Sequence, residues 1–171
     1  MIAVRRIETA EPAALHGLCR LLQDAVHGGA SVGFLAPVAT ATAERYWGGV
    51  FAELARNARL WVAEIDGRVV GSVQLDCCGK ENGRHRAELQ KLFVLRECRG
   101  RGIASMLLEA VEAYARGEGR TLLVLDTETG SPAEEVYRCR GWQYGGSIPD
   151  YATTPDGHLH PTSYYFKRLM P

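Results

Sequence analysis

The chain has 171 residues, 46% of them apolar and 23% charged, which is the composition of a folded globular domain. Its 20 basic and 20 acidic residues cancel, so it lacks the positive field that non-specific nucleic-acid binding needs. No apolar run approaches the roughly 20 residues of a membrane span, and Met1-Ile2-Ala3-Val4-Arg5-Arg6 does not read as a signal peptide.

Residues 2–8 read as a short strand. Pro12 then opens an amphipathic helix to about residue 26, with Leu15, Leu18, Cys19, Leu22 and Val26 at three- and four-residue spacing. The glycine-rich segment His27-Gly28-Gly29-Ala30-Ser31-Val32-Gly33-Phe34 breaks it. A second helix is expected over 42–58, carrying Tyr46, Trp47, Val50, Phe51 and Leu54. Strands at 60–65 and 68–77 are joined by Asp66-Gly67, a tight-hairpin dipeptide.

A polar turn at 79–83 leads to a longer strand, Arg86–Val94. Plain alternation would send Leu89, Lys91, Phe93 and Leu95 to one face and Glu88, Gln90, Leu92 and Val94 to the other. A helix follows over about 102–116, closed by Gly117 and Gly119. Residues 121–125 form a nearly continuous apolar run, as a strand buried on both faces should. A short helix near 133–140 and strands around 144–148 and 162–169 complete the order. The class is mixed α/β with one strand–helix–strand crossover at 86–125, and with no linker or repeat the chain reads as one domain, 1–171.

The five cysteines, Cys19, Cys77, Cys78, Cys98 and Cys139, are odd in number and lack paired metal spacing. They are expected to be reduced thiols in the cytoplasm, with no metal bound. Neither Cys98 nor Cys139 has a histidine within a few residues, so a covalent acyl-enzyme is not expected.

The segment that carries chemistry is Leu92-Phe93-Val94-Leu95-Arg96-Glu97-Cys98-Arg99-Gly100-Arg101-Gly102-Ile103-Ala104. A strand ends, a basic glycine-rich loop turns and a helix begins, which aims backbone N–H groups and the positive end of the helix dipole at one point. A Walker-type loop would need Gly-Lys-Ser/Thr, and none is present. A dinucleotide fingerprint would need a third glycine or alanine where Ser105 stands. The third option is the pyrophosphate of coenzyme A: residues 99–104 resemble the Arg/Gln-x-x-Gly-x-Gly/Ala signature of a coenzyme A-binding family at every specified position, with a plain solvated loop as the alternative.

With these blocks the chain resembles the GNAT superfamily of N-acetyltransferases over nearly its whole length. The closer resemblance is to the tabtoxin-resistance acetyltransferases. It rests on His27–Phe34, Arg86-Ala87-Glu88-Leu89-Gln90-Lys91-Leu92, Leu125-Asp126-Thr127-Glu128-Thr129-Gly130-Ser131 and Thr154-Pro155-Asp156-Gly157-His158-Leu159-His160-Pro161-Thr162.

The resemblance implies a mixed, mostly antiparallel sheet in which two parallel strands, the fourth and fifth, splay apart to admit the pantetheine arm of acetyl-CoA. It gives Leu92, Phe93 and Val94 the backbone contacts to that arm and Arg99, Gly100, Arg101, Gly102, Ile103 and Ala104 the pyrophosphate. It implies direct attack by an amine in a ternary complex, with Tyr137 as acid to the leaving thiolate and Glu88 and Asp126 as candidate bases. His27, Ser31 and Phe34 would face the acceptor; Asp150, Tyr151, His158 and His160 are candidates for the other side, the alternative being that they are solvated. The aromatics Tyr164, Tyr165 and Phe166 are expected to pack a strand.

The expected acceptor is a small amino-acid-like or toxin-like primary amine, with toxin resistance as the corresponding role. A protein or peptide amino group and a non-catalytic acetyl-CoA sensor are the competing readings. A homodimer is the only assembly the resemblance suggests.

Overall fold

The computed structural model describes residues 1–169. In chain order it has β1 (Ile2–Ile7), α1 (Pro12–His27), α2 (Thr40–Glu53), β2 (Ala58–Ile65), β3 (Arg68–Cys77), β4 (Arg86–Val94), α3 (Ile103–Gly117), β5 (Leu122–Glu128), α4 (Pro132–Cys139), β6 (Gln143–Thr153) and β7 (Leu159–Arg168). Single 3-10 turns at Glu81–Gly83 and Arg96–Cys98 flank β4.

The strands form one seven-stranded sheet in the order β1-β2-β3-β4-β5-β7-β6. Every neighbouring pair is antiparallel except β4 and β5, which the α3 crossover makes parallel. Asp66 and Gly67 both take positive φ (50° and 77°), the geometry that a two-residue hairpin needs for the right-handed twist of β2 and β3.

The core lies between this sheet and its helices. On one side Leu18, Leu21, Leu22 and Val26 of α1 and Ala43, Trp47 and Val50 of α2 are buried. On the other, Ile103, Leu107, Leu108 and Val111 of α3 are buried. The close fit of α3 depends on Gly71, where a Cβ would stand 3.0 Å from Ile103 Cγ2 and 3.1 Å from Leu107 Cδ1.

Three expectations need correction. First, α2 ends at Glu53 and not at 58, because Ala58 and Arg59 are already paired with Asp76 and Leu75 of β3. The helical pattern runs on to the buried Leu54, but strand pairing claims the residues after it. Second, β5 is not buried on both faces. Leu123 and Leu125 are buried, Leu122 and Val124 only half so, and the strand continues to Glu128.

Third, β4 does not alternate simply. Gln90 pairs with Gln74 and Phe93 with Ser72, so Lys91 and Leu92 together stand opposite Val73 alone. This is a β-bulge, with Lys91 in the left-handed region at φ 51°. Paired residues share a face, so Glu88, Gln90 and Phe93 point with Asp76, Gln74 and Ser72, while Leu89 and Val94 point with Leu75 and Gly71. The extra residue inverts the side-chain order in the last part of the strand, where the site begins.

Candidate active site

The parallel pairing of β4 and β5 covers only Arg86↔Leu122, Ala87↔Leu123 and Glu88↔Val124. Beyond Glu88 the strands part, and β5 continues paired with β7 alone through Glu128. The β5 side of β4 from Leu89 to Val94 therefore presents backbone without a strand partner, an edge that can take up an extended chain. Leu92 and Val94 lie on this edge, where the Val94 carbonyl accepts from Arg99 Nε at 3.4 Å. Phe93 is buried, so only its backbone is available there.

At the end of that edge stands the basic loop. Gly100 and Gly102 take φ of 75° and 76°, and Gly102 is the left-handed N-cap of α3. The first N–H to reach back in the helix is that of Met106, which donates to the Gly102 carbonyl at 3.1 Å. Those of Ile103, Ala104 and Ser105 precede the ladder and point out of the helix end. The first turn of α3 carries no acidic residue, and nothing lies within 4 Å of where a Cβ would stand at Gly100 or Gly102. A pyrophosphate fits this cradle by charge, by donors and by room. Arg96 instead binds Asp24 of α1, its backbone N–H and its Nε each donating at 2.9 Å.

On the face toward α1 and α2, the register brings acidic side chains to the opening. Glu88 pairs with Val124, so Asp126, two residues on, points to the same side. Tyr164 pairs with Asp126 and shares that face. Gln90 Nε2 donates to Glu88 Oε1 at 2.8 Å. Asp76 is the cross-strand partner of Glu88, and burial, then the charges of Glu88 and Glu53, hold its carboxyl above the ordinary range. A groove of about 560 Å³ between α2 and the sheet is lined by Tyr46, Glu53, Gln74, Asp76 and Gln90, among others. The Tyr46 hydroxyl donates to Gln74 Oε1 at 2.6 Å.

Tyr137, on α4, packs on the opposite face. Its ring is buried against Trp142 and Tyr165, with centroids at 5.8 and 6.3 Å. Burial, and after it the charge of Asp126, push its phenol well above the usual tyrosine value, so it stays protonated. The helix is held by Glu134, which accepts from the Tyr165 hydroxyl and the Gly130 N–H, both at 2.7 Å. The Tyr137 ring and the two carboxylates thus lie on opposite faces of the sheet, the ring against Tyr165 of β7 and the carboxylates beside the β4–β5 opening.

The remaining expected residues form a rim. His27 is the last residue of α1, and its Nε2 accepts from the Val38 N–H at 3.2 Å, which folds the loop after it. Ser31 Oγ donates to the Thr153 carbonyl at 2.8 Å, and the Ala36 N–H donates to the Pro155 carbonyl at 3.0 Å. Together they tie the α1–α2 loop to the β6–β7 turn. Phe34 packs edge-on against Tyr46 with centroids 5.4 Å apart, which brings it to the acidic groove. Tyr151 stacks edge-on on Tyr164 at 5.8 Å. The Tyr164 phenol is pushed up to about 12 by its bond with Tyr151, by burial and by the charges of Asp126 and Glu88.

Asp150 takes a positive φ of 52° within β6, His158 is exposed beside Asp156 at 3.1 Å, and His160 stands 3.7 Å from Glu128. Of the three aromatics on β7, Tyr165 packs as expected, whereas Tyr164 belongs to the acidic face.

Neither cysteine candidate has the setting of a nucleophile. Cys98 is buried, and the exposed Cys139 donates to Glu135 Oε1 at 3.2 Å, which raises its pKa. Among the described residues no group of three or more His, Cys, Asp or Glu is placed to hold a metal ion. No helix among the described residues is long and apolar enough to cross a membrane.

Sequence reading missed Tyr46, Gln74, Asp76, Lys91 and Tyr164. For Tyr164 the alternation of β7 against Asp126 was the available signal. Lys91 had none, because its direction depends on the bulge.

Residues 17–142 match the Acetyltransferase (GNAT) family. An N-acetyltransferase encoded in the hisH-hisA intergenic region of Azospirillum brasilense, itself uncharacterized, is 39% identical over 153 residues, covering 86% of this chain and 89% of that protein. Among solved structures, an N-acetyltransferase from Staphylococcus aureus Mu50 superposes with a TM-score of 0.83 at 18% identity, covering 99% of each chain. The Salmonella typhimurium protein yncA, solved with its cofactor acetyl-CoA, gives a TM-score of 0.81 at 18% identity, over 100% of this chain and 95% of that one. The chain belongs to the GNAT family and is an acetyl-CoA-dependent N-acetyltransferase.

Proposed function

We propose that this enzyme acetylates the primary amine of a small amino-acid-like or toxin-like acceptor, by direct attack in a ternary complex, and that residues 1–171 act as one acetyltransferase domain. What supports this reading is the register that sets Glu88 and Asp126 on one face beside the β4–β5 opening, with Tyr137 buried on the other face against Tyr165 of β7. The small acceptor is favoured by the rim, where the α1–α2 loop and the β6–β7 turn are tied together across the mouth. The tabtoxin-resistance resemblance of the His27–Phe34 and 154–162 blocks falls on these same two segments.

Acetyl-CoA supplies the activated acetyl thioester. The backbone of Leu92, Phe93 and Val94 holds the pantetheine arm, and residues 99–104 hold the pyrophosphate with N–H groups and the Arg99 and Arg101 charges. Glu88 or Asp126 takes the proton of the acceptor ammonium, directly or through water, and the other orients it. The Tyr137 phenol donates to the departing sulfur. The expected setting is the cytoplasm, consistent with five free thiols.

The test is acetyl-CoA-dependent thiol release across small amines and amino-acid analogues, tabtoxinine-β-lactam included, with peptides alongside. Turnover on a small acceptor supports the reading, and activity on peptides alone overturns it. Acetyl-CoA binding without release on any amine would turn it toward a sensor.

A further inference from the structure

The Lys91 side chain has no role in the reaction described above, yet the fold sends it into the acceptor side of the site. It occupies the β4 bulge at φ 51°, where only one residue of β3, Val73, faces it and Leu92 together. Its backbone carbonyl accepts from Ser72 Oγ at 3.3 Å, which fixes the bulge. Its ammonium lies over the Tyr46 ring, 5.6 Å from the centroid. Tyr46 is in turn held by its bond to Gln74 and by the edge of Phe34.

The shell of close partners around this ammonium is incomplete. Lys91 is half-buried and forms no ion pair among the described residues. Asp126 and Glu88 are near enough to favour its charge, but burial outweighs them and lowers its pKa. An aromatic face replaces only part of the hydration that such a cation gives up. An anion arriving at Nζ would complete it.

Resting on the small-acceptor reading, we propose that Lys91 is a specificity-determining residue that binds the carboxylate of the acceptor while Glu88 and Asp126 take its amino group. The site then offers the Lys91 cation beside the carboxylates of Glu88 and Asp126, the complement of a zwitterion. A diamine lacking a carboxylate would bring a second positive charge toward Lys91 and be disfavoured. Asp76 is the cross-strand partner of Glu88, and on the same face the Lys91 ammonium has the Tyr46 ring as its wall.

The test compares an accepted amino acid with the amine that lacks its carboxylate, using wild type, Lys91→Met and Lys91→Arg, with acetyl-CoA binding measured for each. The expected wild-type result is a preference in kcat/KM of at least about tenfold for the carboxylate-bearing member. In Lys91→Met that ratio should collapse through a rise in KM for that member, and Lys91→Arg should keep most of it. A short aliphatic carboxylate should compete with the amino acid in wild type. Equal loss on both members in Lys91→Met would make Lys91 merely structural and overturn the proposal. So would a wild type without preference or carboxylate inhibition, which needs no variant to fold. If small amines are acetylated but without that preference, only the Lys91 assignment fails. If no small amine is acetylated, the acceptor reading fails with it.

Discussion

Glu88 and Asp126 stand on the same face of the sheet, one on each side of the place where β4 and β5 cease to be paired. Glu88 belongs to the last parallel pair, and Asp126 follows its partner Val124 by two residues. The opening therefore begins between two carboxylates.

This relationship predicts that each carboxylate contributes to turnover. Glu88→Gln and Asp126→Asn should each lower kcat/KM by about 10²-fold, as loss of a proton acceptor does. Because both serve one amine, the double variant should lose less than the product of the two. Steady-state thiol release measures this, and single variants within threefold of wild type would remove the carboxylates from the reaction.

Tyr137→Phe removes the phenol and keeps the buried ring, so the fold should hold while kcat drops about 10²-fold. The phenol's pKa is raised, so it remains a proton donor through the ordinary tyrosine range near 10. Wild-type kcat should consequently show no loss from this group between pH 8 and 10. An alkaline limb in that range that vanishes in Tyr137→Phe would contradict the assignment.

Gly100→Ala and Gly102→Ala have room for the methyl group but not the backbone angle. At φ near 75° an L-residue costs about 1–2 kcal/mol, so the loop should relax away from its cradle shape. The expected outcome is weaker acetyl-CoA binding by calorimetry with KM for the amine little changed. A matching rise in the amine's KM alone would place the anion site elsewhere.

Away from the site, Lys167 Nζ donates to both oxygens of Glu112, each at 2.8 Å, and Glu112 is 4% exposed. Lys167→Met leaves that buried carboxylate only the more distant Arg116 Nη2, at 3.7 Å, a loss of about 3 kcal/mol. For a chain of this size Tm should fall by roughly 10 °C in a thermal melt, against little change for an exposed pair such as Arg138 and Glu135.

Glu134 links α4 to the loop after β5 and to β7, and its titration gives the sign of an acid effect. Burial would raise its pKa, but the Tyr165 hydroxyl and the Gly130 N–H, with smaller help from Ser163 and Arg138, bring it below the ordinary value. A depressed folded pKa contributes stability that is complete above the unfolded carboxylate value near 4.3 and is lost as pH falls through the folded one. Denaturant melts from pH 6 to pH 3 should show Glu134→Gln with a shallower loss of stability than wild type. Parallel loss in the two proteins would show that Glu134 carries no such linkage.

Much of this protein was legible in local pattern. The period of α1 and α3, the Asp66-Gly67 hairpin and the strand–loop–helix at 86–117 depend on neighbours a few residues apart, so spacing and glycine placement were enough to order the elements and locate the anion cradle. Glu88, Asp126 and Tyr137 were named from the resemblance, which also set the two carboxylates near facing ends of the splayed strands; that both point to one face came from the pairing of Glu88 with Val124.

The tertiary structure decided what depends on pairing between distant strands. Whether residue 58 continues a helix or begins β2 was settled by its partner Asp76 on β3. The face taken by Phe93 and the direction of Lys91 were settled by a bulge that exists only because β3 offers one residue to two. The splay after Glu88 arises because β5 keeps β7 as its partner when β4 leaves it. Alternation along a strand is a local rule, and the register that inverts it, like the gap that admits a ligand, is fixed only when strands far apart in sequence meet.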